Sequence, residues 1–463
     1  MSLVKTSPII AIATGNGNAG VGIVRISGEE DDVKALFQKM FPGKEIKPRY
    51  AELLPIRDTQ GQILDTGIVI YFRAPFSYTG ESVLELQVHG GRVLLNWIVQ
   101  EVLILGKEFG LRQALPGEFT ERAFLNGKID LVQAEAVADL IEANSRNAAK
   151  AASRSLTGEF SNKVNALNEA LINLRVEVEA ILDFPEEEID FLSEYQSQKK
   201  LEDIQNRLDA VLDSARQGEI LRDGLRVALV GETNVGKSSL LNYLAGEEIA
   251  IVSDIPGTTR DKIQTDLIIS GVPFHFVDTA GIRETEDRIE QIGIERTKQE
   301  ISKADVVLEI RDIRAEQNQN KDSMQTALEM IKGKDVPIIT VLNKVDLIFS
   351  GLQNDADVSR GTVIETSAVT GQGMQELKSE LLKLAGFSEN QSIYMARERH
   401  IHNLLNVKES LKRASSYLNS NSPQLELFAE ELRGASDELG EITGKISSDD
   451  LLGKIFSSFC IGK

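Results

Sequence analysis

Apolar and polar positions change period repeatedly along this chain, and each change predicts a change of architecture. Up to about Gly117 the apolar residues come in short runs broken by Gly, Asn and Pro. Residues 9–13 and 21–26 read as strands separated by the Gly/Asn-rich stretch from Thr14 to Gly20. Residues 67–72 and 83–88 read as strands too, and Gly90-Gly91 opens a helix through Leu95 and Ile98. The pattern predicts an α+β domain of about 120 residues. From Ile129 the spacing becomes helical, with Leu131, Ala134, Ala138 and Ile141, then Leu167, Leu171, Leu174, Val178 and Ile181. Pro185 stops that run inside the acidic segment DFPEEEIDF, which reads as a solvated loop, and helical spacing returns from Leu201 to Ala215.

Strand and helix alternate over residues 222–384, with strands expected at 227–230, 266–270, 273–277, 306–310, 337–342 and 363–365. That predicts a parallel α/β sheet with one antiparallel edge hairpin turning at Gly271. Leu404, Val407, Leu411, Ala414 and Leu418 mark a later helix, and residues 425–439 another. Ser448 reads as an N-cap before the amphipathic stretch of Leu451, Leu452, Ile455, Phe456 and Phe459. The expected fold class is therefore multidomain, α/β and α. An N-terminal α+β domain (1–120) is followed by a discontinuous helical domain (121–221 and 385–463) that holds an inserted α/β domain (222–384).

Composition narrows the class without naming a chemistry. The 463 residues exceed what one core organises, and at roughly 150 residues per domain they suggest about three. The single cysteine, Cys460, excludes an intrachain disulfide and a cysteine-built metal cluster, and fits a reducing compartment. With 71 acidic and 51 basic residues the formal charge is −20, which disfavours a broad nucleic-acid-binding face. No apolar run approaches the roughly 20 residues of a bilayer span, and the N-terminus lacks the character of a targeting segment. A cytoplasmic location without a membrane anchor is expected.

The chemistry is carried by RVALVGETNVGKSS at residues 226–239. A β-branched strand breaks at Gly231, and Gly236-Lys237-Ser238 completes G-x-x-x-x-G-K-S at the opening of a helix. Glycines let main-chain N–H groups turn toward a phosphate, the helix dipole adds positive potential, Lys237 supplies a point charge, and the Ser238 hydroxyl suits Mg²⁺. Asp278-Thr279-Ala280-Gly281 follows an apolar strand, which puts a carboxylate at a strand end where it holds Mg²⁺ through water. Thr259, in Gly257-Thr258-Thr259-Arg260-Asp261, is the hydroxyl chosen to complete the metal shell. Asn343-Lys344-Val345-Asp346 follows another strand, and a carboxylate there matches the N1–H and 2-amino donors of guanine. Ser367-Ala368 then closes over the base. These motifs in this order predict a GTP-binding, Ras-like domain. Ile282 occupies the place after Gly281 where Ras-type domains carry the glutamine that orients water. Another group must therefore act, with Arg283, Glu284, Glu286 and Glu290 as candidates. Asn234 offers an amide oxygen for a monovalent cation beside the β/γ bridge.

Taken with SYTGES, HGG, PGEFTERAFLNGKIDLVQAEAVADLI and the terminus SSDDLLGKIFSSFCIGK, these features resemble the MnmE (TrmE) family of tRNA-modification GTPases from about residue 7 to Lys463. The resemblance implies a homodimer built on the N-terminal domain, with G domains that meet when K⁺ and GTP bind. Nucleotide contacts would come from Asn234, Val235, Gly236, Lys237, Ser238, Ser239, Ser253, Asp254, Ile255, Pro256, Gly257, Thr258 and Thr259. Asp278, Thr279, Ala280, Gly281, Asn343, Lys344, Asp346, Ser367 and Ala368 would complete them. Asn234, Ser253, Ile255 and Thr258 would surround K⁺, Ser238 and Thr259 would bind Mg²⁺, Glu290 would position the water, and Arg283 would assist.

The resemblance further implies a one-carbon tetrahydrofolate on Arg25, Glu85, Lys128 and Lys463, with Cys460 beside it. Acting with a flavin-dependent partner, MnmG, in a hetero-oligomer, family members attach an aminomethyl-type group (carboxymethylaminomethyl or aminomethyl) to C5 of the wobble uridine of certain tRNAs. The negative charge fits a division in which the partner supplies most of the tRNA surface. The chain departs from the family pattern at Thr14 to Gly20 and at Leu115, each losing an arginine, and at Thr233, which replaces a proline. A non-enzymatic alternative, a GTP-dependent assembly switch for ribosome or RNA-complex maturation, has no need of folate.

Overall fold

A computed structural model describes residues 7–15, 17–183, 197–232, 234–247, 249–250, 264–278, 302–314, 336–348, 362–386, 393–418, 424–445, 449–457 and 459–462. The chain forms two compact units. One comprises Met1–Ala138, Leu156–Ile189 and Arg413–Lys463, the other Asp139–Ser155 and Asp190–Lys412.

The first unit contains a mixed sheet whose strands are β1 (Ile9–Ile12), β2 (Ala19–Gly28), β3 (Glu52–Arg57), β4 (Ile63–Phe72), β5 (Ser82–Gly90) and β6 (Arg112–Gln113), in the order β3-β4-β5-β2-β1-β6. Every pairing is antiparallel except β1 with β6. Strands β1, β2, β4 and β5 match the apolar runs. Strand β3 was not anticipated, because Pro55 lies in its middle. Proline has no N–H for a ladder and is tolerated here because β3 is an edge strand, paired with β4 alone. The helix Glu30–Met40 is a second addition: Glu30, Asp31 and Asp32 favour its N-terminal dipole, and Val33, Leu36, Phe37 and Met40 are buried on one face. With Ile10, Val24, Ile26, Leu84, Leu86, Leu95 and Ile98 they form one continuous core.

Helical spacing in the same unit becomes the long helix Glu159–Asp183, which buries Phe160, Val164, Leu167, Leu171, Leu174 and Val178. It packs along Leu425–Thr443, whose buried face holds Phe428, Leu432, Ala435, Leu439 and Ile442. Each such leucine contributes about 1.5–3 kcal/mol by leaving water. The seam is closed by Ser436 Oγ to Asn168 Oδ1 at 2.6 Å and Lys445 Nζ to Asn165 Oδ1 at 2.9 Å. Gly444, with φ +80, ends the second helix. The C-terminal helix Asp449–Ser457 sets Ile455 and Phe456, with Phe459 just beyond it, against Leu131 and Ala134. The expected Ser448 cap and the acidic loop from Phe184 lie outside the described residues.

The second unit holds a sheet of β7 (Leu225–Val230), β8 (Ile249–Ala250), β9 (Gln264–Ile269), β10 (Val272–Asp278), β11 (Val306–Asp312), β12 (Ile338–Asn343) and β13 (Thr362–Thr366). The order is β13-β12-β11-β7-β10-β9-β8. Strands β13, β12, β11, β7 and β10 are parallel, and β9 runs antiparallel to β10 around the predicted turn at Gly271. Central β7 is buried almost throughout, as a strand covered on both faces must be, which explains its unbroken apolar run. The turn residues are pinned from the start of the helix Arg146–Leu156 in the same unit: Ser145 Oγ, just before it, donates to the Gly271 carbonyl at 2.8 Å and Asn147 Nδ2, in its first turn, to the Ser270 carbonyl at 3.3 Å.

The helix Ser197–Asp223 runs beyond both ends of its expected span and leads into β7 through Gly224, whose φ of +74 reverses the chain. His275 of β10 packs where a side chain on Gly224 would stand. A buried Asp139 accepts from Arg222 Nε at 3.1 Å and Arg397 Nη2 at 2.8 Å, which ties three segments of the unit together. No helix among the described residues is long and apolar enough to cross a membrane.

Candidate functional site

Parallel strands deliver their chemistry at their C-terminal ends, and here three of them converge on one loop. Strand β7 feeds the segment from Gly231 to the helix Lys237–Glu247, and Asp278, the last residue of β10, lies level with Leu229 of β7. Lys237 is buried, with its Nζ donating to the Gly231 carbonyl at 2.6 Å and standing 3.5 Å from Asp278 Oδ1. Ser238 and Ser239 are exposed in the first turn of the helix, and Val235 is buried beneath the loop. Gly236 has φ +101, and a Cβ there would run into the amide nitrogen of Asn343, so the position requires glycine.

The segment expected to read the base is built into the same loop. Asn343 ends β12, and its Nδ2 donates to the Val235 carbonyl at 2.9 Å. Its Oδ1 accepts the Ala368 N–H at 3.3 Å and the Thr366 hydroxyl at 3.4 Å, so one side chain joins P-loop, β12 and β13. Lys344 adopts φ +70 and donates from Nζ to the Asn234 carbonyl at 2.5 Å and to Asp312 Oδ2 at 2.8 Å. Arg314, and then Lys344, hold the Asp312 carboxyl well below the usual carboxylate range. Asp346 sits in the short turn Val345–Leu347, where its Oδ1 accepts the buried Ser367 hydroxyl at 2.5 Å. Ser367 Oγ also accepts the Thr370 N–H at 3.1 Å, which folds the loop after β13.

The nucleotide motifs at residues 234–239, Asp278, Asn343, Lys344, Asp346, Ser367 and Ala368 are thus brought together. Ser253, Asp254, Ile255, Pro256, Gly257, Thr258, Thr259, Thr279, Ala280, Gly281, Arg283 and Glu290 lie outside the described residues. Asp312 was not foreseen. Its only signal in sequence is a carboxylate two residues beyond the expected strand 306–310.

In the first unit Arg25 and Glu85 face each other across β2 and β5, with Arg25 Nε donating to Glu85 Oε1 at 2.9 Å. The guanidinium lies over the rings of Tyr78, at 5.7 Å, and Phe119, at 5.8 Å. Tyr78 donates or accepts at Thr120 Oγ1 over 2.8 Å, and burial pushes its phenol pKa up. Lys128 Nζ donates to the Pro75 carbonyl at 3.0 Å. Cys460 is exposed. Its carbonyl accepts the Gly117 N–H at 3.3 Å, and Ile461 bridges to Pro116, which sets the tail beside the segment carrying Phe119. Lys463 lies outside the described residues. Tyr78 and Phe119 are the members of this cluster that the charge pattern did not single out, although both fall in motif segments.

Comparison with known proteins gives the family. Residues 8–128 match the family model described as GTP-binding protein TrmE N-terminus, and residues 131–460 match the MnmE helical domain. The tRNA modification GTPase MnmE of Bordetella parapertussis is 51% identical over 99% of this chain and 99% of its own. That of Bordetella petrii is 52% identical over 98% of each chain, and that of Paraburkholderia xenovorans 51% identical over 100% of each. With two family models covering its length and half of its residues shared with full-length relatives, the chain belongs to the MnmE family of tRNA modification GTPases, GTP hydrolases that take part in tRNA modification.

Proposed function

We propose that this chain is a K⁺-activated GTPase whose cycle, with the flavin-dependent partner MnmG, adds an aminomethyl-type group to C5 of the wobble uridine of certain tRNAs. The one-carbon unit would come from tetrahydrofolate. The observation that carries the potassium reading is Asn234. It is exposed on the P-loop with φ 68, its carbonyl is held by Lys344, and among the described residues no hydrogen bond engages its side-chain amide. A neutral amide oxygen at that place suits a weakly hydrated monovalent cation, which Ser253, Ile255 and Thr258 would help surround. The Ser238 hydroxyl and the Asp278 carboxylate are the hard oxygen donors that Mg²⁺ prefers, with Thr259 as the further hydroxyl. When bound, the two cations would neutralise charge developing on the phosphate oxygens and beside the β/γ bridge.

The chain's own groups do the remainder. Lys237 exchanges its neutral Gly231 carbonyl for anionic phosphate oxygens, a stronger charge-assisted bond, and the helix it opens adds its N-terminal dipole. Ile282 can neither donate nor accept, so orientation of the attacking water falls to Glu290 with Arg283. In the first unit the Glu85 carboxylate and the Arg25 guanidinium, flanked by Tyr78 and Phe119, fit the amino edge and flat face of a pterin. Lys128 and Lys463 suit a glutamate tail. Cys460 is exposed close to that cluster. A homodimer through the N-terminal domain belongs to the same reading, and tRNA contact made mainly by the partner agrees with a net charge of −20.

GTP hydrolysis at fixed ionic strength in KCl and in NaCl, for the wild type and Asn234→Ala, tests the reading. Strong stimulation by K⁺ that disappears in the variant is expected. Equal rates in both salts would sink the cation mechanism.

A further inference from the structure

Strand β11 ends in Asp312, and its register turns that carboxylate toward the nucleotide loop. Asp312 is level with Asn343 on the parallel neighbour β12, and the Ile313 N–H donates to the Asn343 carbonyl at 3.0 Å. The carboxylate therefore stands beside Lys344, whose ammonium lies 2.8 Å from Oδ2. The same ammonium reaches the Asn234 carbonyl at 2.5 Å. Asn234 has φ 68, a left-handed conformation that residues other than glycine adopt rarely. A lysine ammonium is a strongly hydrated charge on a flexible stem, and a carbonyl alone holds it weakly. A carboxylate beside it supplies the second anchor. Arg314 closes the far side, with its N–H and Nε on Oδ1 at 3.1 and 3.0 Å and Nη2 on Oδ2 at 2.8 Å. Arg314 is itself half exposed, whereas the Asp312 side chain retains 16% of its accessible surface.

We infer that Asp312 is a positioning residue of the nucleotide site: through Lys344 it fixes the main chain of the P-loop at Asn234. Base-reading and phosphate-binding segments are thereby locked to one strand end, so the loop is shaped before nucleotide enters. Asp312 acts through the lysine, and the inference needs only that this loop binds nucleotide. It is independent of the potassium reading.

The test is a double-mutant cycle on the full-length chain. Dissociation constants of N-methylanthraniloyl-GDP are measured for the wild type, Asp312→Asn, Lys344→Ala and the double variant, with thermal unfolding alongside. Asp312→Asn is expected to weaken binding roughly tenfold, the scale of one partly buried charge-assisted hydrogen bond. In the Lys344→Ala background the same change should add nothing. Unchanged affinity in Asp312→Asn overturns the inference, as does an equal loss with and without Lys344, which would mark a structural role. If Asp312→Asn unfolds, Asp312→Glu enters the same cycle: its displaced carboxylate must weaken binding only when Lys344 is present, and any other pattern overturns the assignment.

Discussion

The side-chain amide of Asn343 donates to the main-chain carbonyl of Val235 over 2.9 Å, so the asparagine of the base-reading motif serves as a strut for the phosphate loop. The two segments are separated widely in sequence and joined by a buried bond. Asn343 also accepts from Thr366 and Ala368, which makes it the crossing point of three strand ends.

Replacing Asn343 by Ala leaves the Val235 carbonyl and the Ala368 N–H without this partner at a buried position. Loss of such a bond costs about 1–3 kcal/mol, so GTP and GDP should bind roughly 5–150-fold more weakly. Titration with a fluorescent guanine nucleotide measures it, and affinity within twofold of the wild type would contradict the strut.

Asp346 accepts from Ser367 through Oδ1 and keeps carboxylate capacity for two donors on guanine. Asp346→Asn places an N–H where an acceptor is needed, and is expected to lower GTP affinity by at least about 100-fold, the scale of an unpaired polar edge. Xanthine carries a carbonyl in place of the 2-amino group, so XTP should gain relative to GTP. Competition between the two nucleotides decides the point.

Both ring nitrogens of His275 face acceptors: Nδ1 lies 2.7 Å from Asp266 Oδ1 and Nε2 lies 2.9 Å from the Asp223 carbonyl. Only the imidazolium donates at both, and the hydrogen bond to Asp266 raises the pKa against the opposing effect of burial. A raised pKa means stability that is fully present below the unfolded value of about 6.5 and is lost as pH rises through the higher folded value. Proton NMR should show His275 titrating above about 6.5 in the wild type and at a lower pH in Asp266→Asn. A wild-type midpoint at or below the unfolded value would refute the pairing.

Arg122 is buried in the first unit and donates to Glu118 at 2.9 Å, Glu81 at 2.9 Å and the Ser7 carbonyl at 2.9 Å. Arg112 also binds Glu118, and these pairings outweigh burial to lower the Glu118 pKa. Arg122→Met removes one cation from two carboxylates and should destabilise the unit by about 3–5 kcal/mol. Trp97 is the one tryptophan and lies in this unit, so its fluorescence during urea unfolding reports the change. An unaltered midpoint would show that the network contributes little.

What the sequence determined by itself was whatever local chemistry dictates. A β-branched run followed by G-x-x-x-x-G-K-S fixes a strand, a phosphate loop and a helix start, because glycine torsions and the N-terminal dipole act over a few residues. The parallel strands were legible because burial on both faces demands unbroken apolar runs, and the turn at Gly271 because its φ of +83 favours glycine. Edge strand β3 was hidden by Pro55, whose acceptability depends on which side of the strand has a neighbour. Tertiary structure alone decided that Asn343 holds Val235, that Asp312 reaches Lys344, and that Tyr78 and Phe119 cover Arg25. Each of these depends on strand register and the crossing of distant segments, and contacts between residues far apart in sequence leave no period in the chain that forms them.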